Sequence, residues 1–66
     1  MKITINGKEQ QFVSVSNLGQ IIENFCKQNN RVIAEVNGEI VKSKQWEKTP
    51  LNDGDKVELV SFVGGG

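Results

Sequence analysis

Apolar and polar residues alternate along Met1-Lys2-Ile3-Thr4-Ile5, the period of a strand with one buried face. Asn6-Gly7 follows, and because both residues tolerate positive φ, the pair predicts a two-residue type I′ hairpin turn. Gln11-Phe12-Val13-Ser14-Val15 is expected to be the returning strand. The period then changes. Leu18, Ile21, Ile22 and Phe25 fall at i, i+3, i+4 and i+7, a single core-facing stripe on a helix of about three turns. Asn17 is placed to cap its first amides, and Gln20 three residues on completes a capping-box-like pair. Gln28-Asn29-Asn30 is a suitable end, since asparagine accepts the left-handed conformation. Gly19 lowers helix propensity by ~1 kcal/mol relative to alanine, which points to something packing closely there.

Arg31 to Val36 reads as a third strand, nearly continuous in apolar character at Val32-Ile33-Ala34, as expected for a central strand under the helix. Asn37-Gly38 repeats the hairpin signal and leads into a short strand, Glu39 to Val41. The segment 43–50 has no clear period, so a loop or helical turn carrying Trp46 toward the core is expected. Asp53-Gly54 marks another turn, and Lys56 to Val63 is expected to form a longer last strand with Val57, Leu59 and, at its end, Val63 on one face.

The β-β-α-β-β-β order, with one helix, two hairpins and a final strand, predicts an α+β roll whose mixed sheet of four to five strands wraps across the helix. Each hairpin can occupy only one edge, so the first and last strands must meet in the middle of the sheet. That is the β-grasp arrangement.

Composition narrows the function. A chain of 66 residues is expected to form one domain, over residues 1–63, burying roughly 60% of its unfolded surface, followed by a tail, 64–66. Eight basic residues balance eight acidic ones, so no net field draws the chain to nucleic acid or to an anionic membrane. Lys42, Lys44 and Lys48 read as solvated surface rather than a phosphate track. The chain has no signal-peptide-like or membrane-spanning apolar stretch, and a cytoplasmic location is expected. Cys26 is the only cysteine, which rules out an internal disulfide and suits a small buried hydrophobe better than a sulfur-bearing thiol. With no histidine and no metal-ligand spacing of acids or cysteines, catalysis within the chain is not expected, nor a cofactor bound by it.

The sequence closes on Gly64-Gly65-Gly66. Terminal glycines alone would be read as fraying or a linker remnant. These follow directly on Val60-Ser61-Phe62-Val63, the end of a strand expected to be central, so a flexible tail is presented from an anchored base. A terminal carboxylate becomes electrophilic only as a mixed anhydride or thioester, and the enzyme that activates it must admit a chain end into a closed site. Glycine has no Cβ to obstruct entry, and three residues extend by about 10 Å. Gly66 is therefore the candidate reacting residue, while Gly64 and Gly65 supply reach and clearance. Val60, Phe62 and Val63 beside the tail are candidate docking residues; the alternative is that Val60 and Phe62 pack under the segment 43–50 with Trp46.

These features together resemble the ThiS sulfur carrier proteins of thiamine thiazole biosynthesis, a ubiquitin-like β-grasp family with a Gly-Gly end. The likeness covers the whole chain and includes Ile3-Thr4-Ile5-Asn6-Gly7, the Leu18 to Phe25 helix, Val36-Asn37-Gly38-Glu39-Ile40-Val41, Trp46, the stretch from Leu51 to Leu59, and above all Phe62-Val63-Gly64-Gly65-Gly66. Gly64 replaces an alanine that some members carry. The resemblance implies a carrier cycle. A ThiF-type adenylating enzyme uses ATP and magnesium to adenylate the Gly66 carboxylate, and a sulfur donor such as a cysteine desulfurase converts it to a thiocarboxylate. Thiazole synthase of the ThiG type then takes the sulfur, so the carrier is a cosubstrate rather than an enzyme. Alternatives are a carrier like the small subunit of molybdopterin synthase, a ubiquitin-like protein modifier, or a β-grasp interaction module with an inert tail.

Overall fold

Asn6 and Gly7 adopt φ of 50° and 83°, and Asn37 and Gly38 adopt 52° and 87°, so both Asn-Gly pairs form the left-handed two-residue turns their chemistry favours. The computed structural model describes residues 1–14, 17–25 and 31–62, with Phe62 described by its backbone. Along the chain the elements are β1 (Lys2–Ile5), β2 (Lys8–Gln11), α1 (Leu18–Phe25), β3 (Arg31–Val36), β4 (Glu39–Val41), a 3₁₀ turn at Ser43–Lys48, and β5 (Lys56–Phe62). The five strands form one mixed sheet in the order β2-β1-β5-β3-β4. β1 and β5 run parallel at its centre, and each hairpin fills one side, as the α+β, β-grasp expectation requires.

The second strand lies earlier than its apolar residues suggest. A two-residue turn sets Ile5 opposite Lys8, so pairing begins there and ends at Lys2↔Gln11. Lys8-Glu9-Gln10-Gln11 is exposed throughout, the polar composition of an unprotected edge strand. Phe12, expected within the strand, lies just beyond it and packs against the core, whereas Val13 is fully exposed.

The helix starts as expected. The Gln20 amide donates to Asn17 Oδ1 at 3.1 Å, and Leu18, Ile21 and Ile22 are buried. Phe25, expected on the same stripe, remains 50% exposed at the end of α1. The expected helix end at Gln28-Asn29-Asn30 and Cys26 lie outside the described residues. Ile3, Ile5, Leu18, Ile21, Ile22, Ala34, Leu51, Val57 and Leu59 form the core between helix and sheet.

The 3₁₀ turn realises the expectation for segment 43–50. Trp46 is half-buried against the core, and its Nε1 donates to the Val41 carbonyl at 2.9 Å, which satisfies the polar end of a large apolar ring. The turn closes on the start of α1, where the Leu18 amide donates to the Thr49 carbonyl at 2.9 Å. Gly19 sits at this junction. A Cβ built there would lie 3.0 Å from Asn17 Oδ1 and 3.1 Å from Glu47 Cγ. The close neighbour inferred from a glycine in a helix is therefore the 3₁₀ turn together with the helix cap. Gly19→Ala is expected to destabilise the fold by about 1 kcal/mol, because displacing the cap outweighs the gain in helix propensity; a thermal melt that rises instead would show that Glu47 and Asn17 yield freely.

Candidate functional site

Hydrogen bonds from both neighbouring strands hold β5, and two asparagine side chains extend that hold. On the β1 side, backbone register is limited to Thr4↔Lys56 and Ile5↔Val57 before β1 turns away. The Asn6 amide donates to the Val57 carbonyl at 2.9 Å. Its side chain then continues the ladder: Leu59 N–H donates to Asn6 Oδ1 at 2.8 Å, and Asn6 Nδ2 donates to the Leu59 carbonyl at 3.2 Å. A carboxamide is the short side chain that can both accept from an amide and donate to a carbonyl of one residue.

Asn37 does the equivalent from the β3 side, at the beginning of β5. Lys56 N–H donates to Asn37 Oδ1 at 3.0 Å, the Asn37 amide donates to the Lys56 carbonyl at 2.8 Å, and Asn37 Nδ2 donates to Asp55 Oδ1 at 3.0 Å. The backbone register between β3 and β5 runs unbroken from Val36↔Val57 to Arg31↔Phe62. Reading Asn6 and Asn37 as turn residues missed this second role. The available signal was the choice of asparagine, rather than aspartate or glycine, at the same position of both turns.

The two faces of β5 divide by parity. Val57 and Leu59 point into the core at 1% and 6% exposure, while Val60 faces solvent at 53%. Val60 pairs with Ile33 and Glu35 pairs with Ile40, which puts Ile33, Ile40 and Val60 on the sheet face away from the helix. Ile33 and Ile40 are 41% and 69% exposed, so this face carries an open apolar group. Glu35 and Glu58 lie directly opposite each other beside it, a like-charge pairing that adjacent strands ordinarily avoid. Val60 does not pack under the segment 43–50: Trp46 and its turn belong to the core on the other side of the sheet.

Of the other candidate residues, Phe62 is the last residue of β5 and pairs with Arg31, while its side chain lies outside the described residues. Val63, Gly64, Gly65 and Gly66 also lie outside them. Among the described residues no group of three or more histidines, cysteines, aspartates or glutamates is placed to hold a metal ion, and no helix is long and apolar enough to cross a membrane. The described part thus supplies an anchored central strand and an exposed apolar face beside its outgoing end.

Comparison with known proteins gives this geometry a context. The ThiS family model matches residues 3–66. The sulfur carrier protein ThiS of Bacillus subtilis is 31% identical over 65 residues, covering 97% of this chain and 98% of that one. A thiazole synthase of Paramagnetospirillum magneticum is 36% identical over 66 residues, all of this chain but only 20% of that protein, so the chain spans about a fifth of that relative's length. The crystal structure of the thiamine biosynthesis protein ThiS from Geobacter metallireducens superposes with a TM-score of 0.80 at 32% identity, covering both chains completely.

The weight carried by Asn6 is open to measurement. Asn6→Gly keeps the left-handed turn and removes both side-chain bonds to Leu59, so a loss of about 1–2 kcal/mol and a melting temperature lower by roughly 5–15 °C are expected. An unchanged melt would mean that β5 is held by its backbone ladder alone.

Proposed function

Given that this chain belongs to the ThiS family of sulfur carriers in thiamine biosynthesis, we propose that its reacting group is the Gly66 carboxylate, presented by β5 to partner enzymes. The observation that carries this reading is the central strand β5, held from both sides as far as Leu59 and by β3 on to its last residue, Phe62, four residues before Gly66. An anchored base limits the space the following residues search, and glycines leave that short search free of side-chain obstruction.

In the first step a carboxylate oxygen of Gly66 attacks the α-phosphorus of ATP, releasing pyrophosphate and leaving an acyl-adenylate. A ThiF-type enzyme supplies the site, and its magnesium offsets the phosphate charge. The outer sulfur of a persulfide on a donor such as a cysteine desulfurase then displaces AMP to give an acyl disulfide, and a thiol reductant cleaves its S–S bond, releasing the thiocarboxylate while the thiol is oxidised to a disulfide. The sulfur passes to a ThiG-type thiazole synthase, and the carboxylate is regenerated. None of these steps calls for an acid, base or metal from this chain; its contribution is position and access. The full-length likeness to a segment of a thiazole synthase favours thiazole formation over the molybdopterin alternative.

The open face formed by Ile33, Ile40 and Val60 is the proposed docking surface, and Phe62 and Val63, next along the sequence before the glycines, are proposed as docking residues with it. Contact there adds binding energy remote from the reacting carboxylate, which helps carry the tail into a closed site.

Intact mass after incubation with the activating enzyme, ATP and a sulfur source tests the chemistry. A gain of about 16 Da, one oxygen replaced by sulfur, is expected. Extending the chain by one residue beyond Gly66 should eliminate the gain without altering the melt; a sulfur-loaded extended protein would place the chemistry elsewhere. Val60→Gln, at an exposed site, should raise the KM for adenylation about tenfold with kcat little changed, and an unaltered KM would remove Val60 from the docking surface.

A further inference from the structure

The hydrogen-bonding directions along β5 leave one part of this central strand open. The Asn37 amide bonds to the Lys56 carbonyl and the Asn6 amide to the Val57 carbonyl, so even-numbered residues of β5 direct their backbone groups to β3 and odd-numbered residues to the β1 side. Val57 is met there by the Asn6 backbone and Leu59 by the Asn6 side chain. Ser61 is the next odd position. It is exposed, and the β1–β5 register has no residue opposite it, since that pairing ends at Ile5↔Val57. On the other side β3 continues to accompany β5 as far as Arg31↔Phe62. At Ser61, then, the central strand has become an edge among the described residues, with an amide and a carbonyl directed to the side that β1 has left.

We propose that this edge is a strand-addition site: an extended segment of the thiazole synthase pairs with the Ser61 amide and carbonyl and so sets the register in which the following residues enter its active site. The inference rests on the carrier reading above and adds the element of the partner that is recognised. Three observations favour this occupant. The open position lies five residues before Gly66, so main-chain pairing there aligns the tail directly. Asn6 closes the ladder immediately before it, which fixes where an added strand can begin. A relative called thiazole synthase contains a segment similar to this entire chain, which indicates that the domain works alongside a synthase.

Proline separates this role from a structural one. Ser61 pairs with Val32 at a position whose backbone groups face away from β3, so Ser61→Pro removes an amide donor that meets no backbone acceptor among the described residues. The variant is expected to melt within about 2 °C of the parent and to bind the thiazole synthase about tenfold more weakly. Ser61→Ala, which keeps the amide, should bind like the parent. In the parent protein, hydrogen exchange at the Ser61 amide should slow at least about tenfold when the synthase is added. This second measurement decides the question even if the proline variant fails to fold. A folded Ser61→Pro protein that binds normally, or a Ser61 amide that exchanges at its free rate within the complex, overturns strand addition and leaves the carrier reading intact. Absence of both the thiocarboxylate mass gain and any complex overturns the carrier reading, and this proposal with it.

Discussion

The rest of the fold depends on the parallel junction between β1 and β5, which ties residues more than fifty positions apart and is only two residue pairs long. Such a junction is expensive in chain entropy and weak in its own ladder. It survives because other groups reinforce it at both ends. The segment 53–55 runs beside β1, where Lys2 N–H donates to Asp53 Oδ1 at 2.6 Å and Thr4 N–H to the Asp55 carbonyl at 3.0 Å. At the other end Asn6 extends the ladder with a side chain after the backbone has turned away. Removal of this junction would separate the two hairpins, and Ile3, Ile5 and Val57 would lose the shared interior they form with α1.

Packing on the helix side follows from that junction. Leu18 and Ile21 are essentially inaccessible, and the 3₁₀ turn closes against the start of α1 where only glycine fits without displacing a neighbour. Among the described residues the opposite face has no such cover. Its exposed isoleucines and Val60, and the opposed Glu35 and Glu58, are poor choices for an isolated sheet and suit the docking surface proposed above. The two faces of the same strand thus differ, with Val57 and Leu59 buried on one and Val60 exposed on the other.

The proposed carrier cycle makes unusual demands on structure, because its reacting group must serve two enzymes in succession. For that cycle the domain would supply a fixed origin for its last residues and a surface for partners, the roles proposed for β5 and its exposed face. The transition of β5 from central strand to edge at Ser61 gives this division a location: up to Leu59 the backbone is committed to the fold, and at Ser61 the β1-facing groups meet no strand among the described residues.

Much of this was legible in the residues. Alternation at Lys2–Ile5, the two Asn-Gly turns, the Leu18, Ile21, Ile22 stripe and the buried parity of Val57 and Leu59 are local patterns, and local sterics with solvent exclusion suffice to produce them. Other features were not legible because they depend on partners distant in sequence. The placement of β2 at Lys8–Gln11 follows turn register against the pull of Phe12 and Val13, and Phe25, the last residue of α1, stays half exposed despite its place on the apolar stripe. By itself the sequence determined the order of the elements and the roll they form, and it supplied the three closing glycines on which the proposed carrier role rests. Tertiary structure alone decided that Asn6 and Asn37 act as clamps, that Gly19 receives the 3₁₀ turn, and that β5 is open at Ser61. Each of these depends on where one strand stops beside another, and that is set by contacts across the chain rather than along it.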